Sequence, residues 1–236
     1  MNSGLLLKKN DSSKEFGERW IWTAVETKTR LLIGFNIGDR TMEYANLIVC
    51  KVRDAIAGKA PMFTSDELVH YKSALILAFG KVITPEPTGR PGRPREPYVE
   101  LPIDIDYATV HKERQGGTVV KVTRQQVLGN SMRMQARLAE GPSTTINTAF
   151  VERVNLDLRL WNAHLARKSP TFAKSERHLN AKFAICAASY NFIRPHESLS
   201  RRDDRTFVPT TPAMAASVLV TPWKTRDLIL ATVCQS

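Results

Sequence analysis

Two acidic residues stand where reactive groups are usually placed. Asp66 closes the short apolar run Phe63-Thr64-Ser65, and strand ends are where α/β proteins hold their sites. Glu152 lies on a long amphipathic segment, on a face shared with Asn155, Arg159 and Asn162. Helical spacing puts that face about opposite the stripe Phe150, Val154 and Leu158. Carboxylates from a strand end and a facing helix can hold Mg²⁺, a hard cation that takes oxygen ligands and keeps waters for substrate phosphates. Each residue also has a plainer use. An Asp at a strand end serves as a helix N-cap, and a helix Glu serves as a solvated surface residue.

Cations surround the second of these acids. Arg153, Arg159, Arg167 and Lys168 can line a phosphate track whose affinity falls with salt and carries no base specificity; a solvated helix face is the rival reading. Gly89-Arg90-Pro91-Gly92-Arg93-Pro94-Arg95 resembles the minor-groove hooks of architectural DNA-binding proteins, where proline keeps the chain extended and arginines enter the groove. A stiff linker would look the same, and Glu86, Glu96 and Glu100 temper the electrostatic pull. His196, in Arg194-Pro195-His196, either touches DNA or orders the end of the preceding helix. Without a nearby Cys or His it is a poor zinc ligand.

The elements that position these residues are legible from periodicity. Trp20–Val25 and Leu31–Ile37 are β-branched and aromatic runs around the polar loop Glu26–Arg30, and they predict an antiparallel hairpin. Met42, Ala45, Val49, Val52 and Ile56 recur at helical spacing up to Gly58. Pro61–Ser65 reads as a short strand, and Leu68, Tyr71, Leu75 and Phe79 as a helix stopped by Gly80. Six prolines between 85 and 102 rule out a helix and most sheet pairing there. Val119–Val122 reads as a strand, Phe150–Leu165 and Glu176–Tyr190 as helices, and Met132, Met134, Arg133 and Arg137 as an exposed helix or strand edge. Prolines at 195, 209, 212 and 222 predict an extended, loop-like tail.

Several blocks, in order, give the chain a family resemblance. They are Trp20-x-Trp22-x-Ala24 with Thr29-Arg30 and Gly38-Asp39-Arg40-Thr41; Phe63-Thr64-Ser65-Asp66 with Tyr71; and Asn147 to Arg159 around Glu152. The last two are Arg167 to Ser175 and Tyr190-Asn191-Phe192-Ile193-Arg194-Pro195-His196-Glu197-Ser198-Leu199. Together they resemble insertion-sequence transposases of the DDE type, over nearly the whole chain. The resemblance implies an α/β fold with a ribonuclease-H-like core, a mixed sheet flanked by helices, a Pro-rich insert and an extended C-terminal tail. The segments would be 1–83 for the first part of the core, 84–102 for the insert, 103–199 for the remainder and 200–236 for the tail. It implies Mg²⁺ or Mn²⁺ as cofactor and in-line phosphoryl transfer on DNA, with Asp66 as the second and Glu152 as the third metal ligand, converging on a shared ion.

The family's leading Asp lies on a strand upstream of Trp-x-Trp. Here Met1–Leu7 holds no acidic residue, and neither Asp11 nor Glu26 fits that motif. The chain is therefore expected to be a 5′-truncated or misannotated transposase. Its implied partners are transposon ends, target DNA and further copies of itself, in a bacterial-type cytoplasm at the nucleoid. A non-catalytic DNA-binding remnant and a ribonuclease-H-like nuclease unconnected with transposition remain as rivals.

Charge agrees with a polyanionic partner. The 236 residues carry 34 Lys plus Arg against 23 Asp plus Glu, a net +11, and residues 118–236 alone hold 17 basic and 8 acidic side chains. Such a local surplus attracts nucleic acid first and an anionic membrane surface second. Cys50, Cys186 and Cys234 are too dispersed for a disulfide framework. No run approaches the roughly 18 apolar residues of a membrane span, so secreted, membrane-spanning and collagen-like classes are set aside.

Overall fold

The computed structural model describes residues 19–56, 60–85, 95–102, 104–165, 173, 175–203 and 206–233. The elements run β1 (Trp20–Val25), β2 (Leu32–Gly38), α1 (Met42–Ala55), β3 (Met62–Ser65), α2 (His70–Phe79), β4 (Lys81–Ile83) and β5 (Tyr98–Glu100). Next come β6 (Asp106–Gln115), β7 (Thr118–Leu128), α3 (Ser131–Ala139), α4 (Ala149–Trp161), α5 (Glu176–Ala188), β8 (Arg201–Asp203), β9 (Thr206–Val208), α6 (Pro212–Ala215) and α7 (Thr225–Val233). The chain is mixed α/β and falls into two compact units, one of residues up to 40 and from 149, the other of residues 41–148.

The first unit is built on the expected hairpin. β1 and β2 pair antiparallel from Trp20↔Gly38 to Val25↔Leu32. Glu26 closes the loop by accepting the amides of Lys28 and Thr29 at 2.9 and 2.6 Å, so its carboxylate has a structural use. Ile21, Leu32 and Ile37 of the hairpin form one apolar cluster with Val154, Leu158, Leu179, Phe183 and Tyr190 of the helices. Phe35 packs on Phe183 with ring centroids 4.5 Å apart.

After α5 the chain widens into a single π-turn, Ser189–Ile193. Tyr190 and Asn191 are both buried there, and consecutive positions of an ordinary helix point about 100° apart. The wider turn lets both meet the hairpin. The Tyr190 hydroxyl donates to the Arg30 carbonyl at 3.0 Å. Asn191 accepts the Leu32 amide at 3.0 Å and donates to the Leu32 carbonyl at 2.9 Å, completing the backbone of β2 as a neighbouring strand would.

The second unit holds a mixed sheet in the order β3-β6-β7. β3 runs parallel to β6, from Met62↔Asp106 to Ser65↔Thr109, and β7 returns antiparallel to β6. α1 and α2 pack on one another, burying Ala45, Ile48, Val49 and Val52 of one and Ala74 and Leu75 of the other. Asp106, at the start of β6, is 0% exposed. Its carboxylate accepts the Asn130 amide at 3.0 Å and two bonds from Arg133 at 2.7 and 2.8 Å, and Arg137 lies 3.2 Å away. Burial pushes this carboxyl upward, but the Arg133 and Asn130 hydrogen bonds with the two guanidinium charges hold it below the usual carboxylate value. Gly129 makes the approach feasible: at φ +95°, a Cβ would collide with Asp106 Oδ1 and the Ile105 carbonyl.

Several elements depart from the sequence expectation. The segment between Asp106 and Gln115, left unassigned by periodicity, is β6, and β7 is eleven residues long. The expected mixed sheet is the three-stranded β3-β6-β7, and the other described strands pair off in three two-stranded sheets. Of the helix and strand-edge readings for Met132–Arg137, the structure has the helix, α3, with Met132 exposed. Met134 is buried, however, and Arg133 and Arg137 are ion-paired to the buried Asp106. The tail is not simply extended, because helix-start signals outweigh its prolines. Thr211 caps α6 ahead of Pro212 at the first helical position, where proline costs no hydrogen bond. α7 begins beyond Pro222, where Asp227 accepts the Lys224 amide at 2.7 Å as the back-reaching half of a capping box.

The buried pair makes the second unit acid-sensitive. With its folded-state value depressed, Asp106 contributes fully above the unfolded-state value near pH ~4 and loses that contribution as pH falls through the folded value. Asp106→Asn should cost about 3 kcal/mol in thermal unfolding at neutral pH and blunt the acid dependence. Equal acid dependence in both proteins would contradict this assignment.

Candidate metal-binding carboxylates and nucleic-acid interface

Asp66 follows directly on β3, at the C-terminal end of the parallel β3–β6 pairing. It is not a helix cap, since the N-cap residue of α2 is Val69. The Ser65 hydroxyl lies 2.6 Å from the Asp66 carbonyl and 2.8 Å from the Tyr107 hydroxyl, fixing the backbone where the strand ends. Tyr107 is 2% exposed. Burial first, and the Asp66 charge as well, push its phenol upward against the opposing Ser65 bond, so it stays neutral. The half-buried Asp66 carboxylate takes no hydrogen bond or ion pair from a described residue. Beside it Glu67 pairs with His111 at 2.7 Å.

Glu152 is half-buried in the first turn of α4, where the helix dipole favours a negative charge. Its face is not opposite the apolar stripe, as spacing suggested. Asn155 is 5% exposed and accepts a hydrogen bond from the Thr23 hydroxyl of β1 at 2.9 Å, while Val154 and Leu158 are also buried. α4 therefore buries two adjoining faces, one apolar and one polar. Phe150 lies beneath the Arg30 guanidinium, 4.0 Å from the ring centroid.

Asp66 belongs to the unit of residues 41–148 and Glu152 to the other. Both are carboxylate donors of the kind Mg²⁺ accepts, and an Asp66 side chain that takes no hydrogen bond or ion pair among the described residues suits such a ligand. Among the described residues no group of three or more His, Cys, Asp or Glu side chains stands together.

The expected DNA contacts divide by surroundings. Arg153 is 69% exposed and lies 3.5 Å from Asp157, one helical turn on. Arg159 is half-buried, with Nε and one terminal nitrogen cut off from solvent, so those nitrogens do not face a surface phosphate. Arg95 is exposed; Arg90, Arg93, Arg167 and Lys168 lie outside the described residues.

Arg153 and His196 share a cleft of ≈ 680 Å³ with Asp157, Trp161, Tyr190 and Arg194. The Arg194 guanidinium lies over the Trp161 ring, its Cζ 3.9 Å from the centroid, a cation–π contact. The His196 amide donates to the Thr210 carbonyl at 2.9 Å, and its carbonyl accepts the Leu199 and Ser200 amides at 3.0 Å. Its Nδ1 sits 3.0 Å from the Ser198 hydroxyl. His196 thus orders the turn after α5 and also borders the cleft.

Sequence reasoning passed over Arg194, Asp157 and Trp161. The signal was present as Tyr190-Asn191-Phe192-Ile193-Arg194-Pro195-His196, in which most residues prove to hold the hairpin or wall the cleft.

No protein-family model, curated protein or solved structure matches this chain. No helix among the described residues is long and apolar enough to cross a membrane.

His196 carries a checkable consequence. Burial, with Arg30 and Arg153, lowers its imidazole against the raising pull of Asp157 and Glu197. It should titrate below the ordinary histidine value by NMR, and Asp157→Asn should lower it further. Titration at or above that value would contradict the cleft electrostatics.

Proposed function

We propose that the chain is the catalytic region of a DDE-type transposase, a polynucleotidyl transferase with a ribonuclease-H-like core. The observation that supports this best is Asp66, a half-buried carboxylate beyond a strand in a parallel pairing and unused as a helix cap or ion-pair partner among the described residues. The motif blocks support it in order, as does the succession of antiparallel hairpin, helix, strand and helix before a Glu-bearing helix.

Asp66 and Glu152 would supply carboxylate oxygens to Mg²⁺ or Mn²⁺. When bound, such an ion sharpens a water or a DNA 3′-hydroxyl as nucleophile and neutralises the leaving oxygen. Catalysis of in-line phosphoryl transfer is mainly positioning and charge neutralisation, so the remaining work is binding. Arg153 and Arg194 offer guanidinium forks suited to phosphate oxygens. The excess of basic over acidic residues beyond 118 would draw DNA to the chain over a range set by salt. Partners on this reading are the element's own DNA ends, target DNA and further copies of the chain.

No motif residue of this sequence fills the family's leading carboxylate position. The purified full chain should therefore bind duplex DNA carrying the element's ends and cleave or join it at most feebly, and only when Mg²⁺ or Mn²⁺ is added. Robust metal-dependent activity would mean that another acid of the chain fills that position. Asp66→Ala and Glu152→Ala should each abolish whatever metal-dependent rate is seen, since a lost ligand removes several kcal/mol of charge stabilisation, with DNA affinity retained. Undiminished activity in both variants would refute the assignment. Duplex binding without metal-dependent chemistry would instead support a non-catalytic DNA-binding protein.

A further inference from the structure

The β6–β7 ribbon is longer than the sheet requires. Asp106 to Val110 are buried, whereas Glu113 to Gln126 are exposed through the turn and along β7. Gly116 and Gly117, at φ +58° and +87°, make the two-residue turn, and a Cβ at either would meet nothing within 4 Å. Positive φ at both central residues is the hairpin turn whose twist matches the strands. The distal ribbon is thus a well-formed hairpin with an open tip.

Its two faces differ in charge. The cross-strand pairs Glu113↔Lys121 and His111↔Thr123 share one face, where Glu113 is ion-paired to Lys121 at 3.2 Å and His111 to Glu67. The pairs Val110↔Arg124, Lys112↔Val122 and Arg114↔Val119 share the other. Of the residues of the two strands, that face carries Lys112, Arg114 and Arg124 and no acidic one, with Val119 and Val122 at 38% and 37% exposure. Arg114 also donates to the Gly117 carbonyl at 3.2 Å and Arg124 Nε to the Ile146 carbonyl at 2.7 Å, which leaves their other guanidinium nitrogens for phosphate. Strand alternation, not net composition, separates the signs.

We infer that this distal ribbon is a duplex-DNA-contacting arm, with Lys112, Arg114 and Arg124 meeting backbone phosphates and the valines facing the groove. The inference rests on the proposed function and adds the surface by which DNA is held. A two-stranded ribbon fits the major groove of B-form DNA, and apolar side chains there meet thymine methyl groups. Pairing of the β7 edge with a second copy is disfavoured by the edge itself, which carries Lys121 and Arg124 and two register breaks. Charges and bulges are the usual devices against strand addition.

Fluorescence anisotropy of the full chain on a random-sequence duplex, across a salt series, tests this. Lys112→Gln with Arg114→Gln should weaken binding and make the salt slope shallower by about 2, since each lost phosphate contact removes ~0.9, with the melting temperature unchanged. Lys112→Arg with Arg114→Lys should restore the wild-type slope, and Glu113→Gln, on the opposite face, should leave binding undiminished. Wild-type affinity and slope in the double Gln variant would overturn the inference while leaving the proposed function standing, and a change in its oligomeric state alone would assign the ribbon to a second copy. A wild-type chain that does not bind duplex DNA at all would overturn both readings.

Discussion

A single carboxylate removed from water organises the second unit. Asp106 begins β6, pairs in register with Met62 at the start of β3, and is held by Arg133, Arg137 and the Asn130 amide. A buried charge without partners would cost several kcal/mol, so α3 must dock with both arginines in place. That requirement fixes β6, and β6 fixes what flanks it: the strand that ends at Asp66 and the ribbon extending to Gly116-Gly117. Gly129 belongs to the same constraint, because a side chain there would occupy the space of the Asp106 carboxylate.

The first unit solves the corresponding problem with neutral groups. Asn191 satisfies the Leu32 backbone, and Tyr190 the Arg30 carbonyl. The π-turn that presents both also delivers Arg194 onto Trp161 and brings His196 to the cleft. One short stretch of sequence therefore holds the hairpin with its first residues and walls a charged cleft with its last. Phe192 adds to the anchoring by stacking on Trp223, with centroids 4.9 Å apart.

Much of this was legible in the sequence, and the gaps have physical reasons. The hairpin, α1, α2 and α5 follow from periodicity because each buries an apolar stripe. α4 was found by the same stripe although it also buries Asn155, and β3 by its short apolar run. β6 escaped because its buried half, Asp106 to Val110, includes a charged residue, and its exposed half is polar on both faces; alternation disappears when a strand leaves the core. Only Gly116-Gly117 marked it. α7 was hidden by the prolines preceding it, although Asp227 was positioned to start a helix. Asp66 and Glu152 could be singled out by type and placement, but periodicity could not foresee that Asn155 would turn inward to Thr23. The pairing of Arg133 and Arg137 with Asp106 spans residues far apart in sequence, beyond any local pattern.

The central claim is that Asp66 and Glu152 are ligands of a divalent cation, and binding of Mn²⁺ to the full chain, followed by electron paramagnetic resonance, tests it without depending on turnover. The account predicts that Asp66→Asn and Glu152→Gln each weaken Mn²⁺ binding, while Glu67→Gln, whose carboxylate is already paired with His111, leaves it unchanged. Equal Mn²⁺ affinity in the wild-type chain and both ligand variants would contradict it.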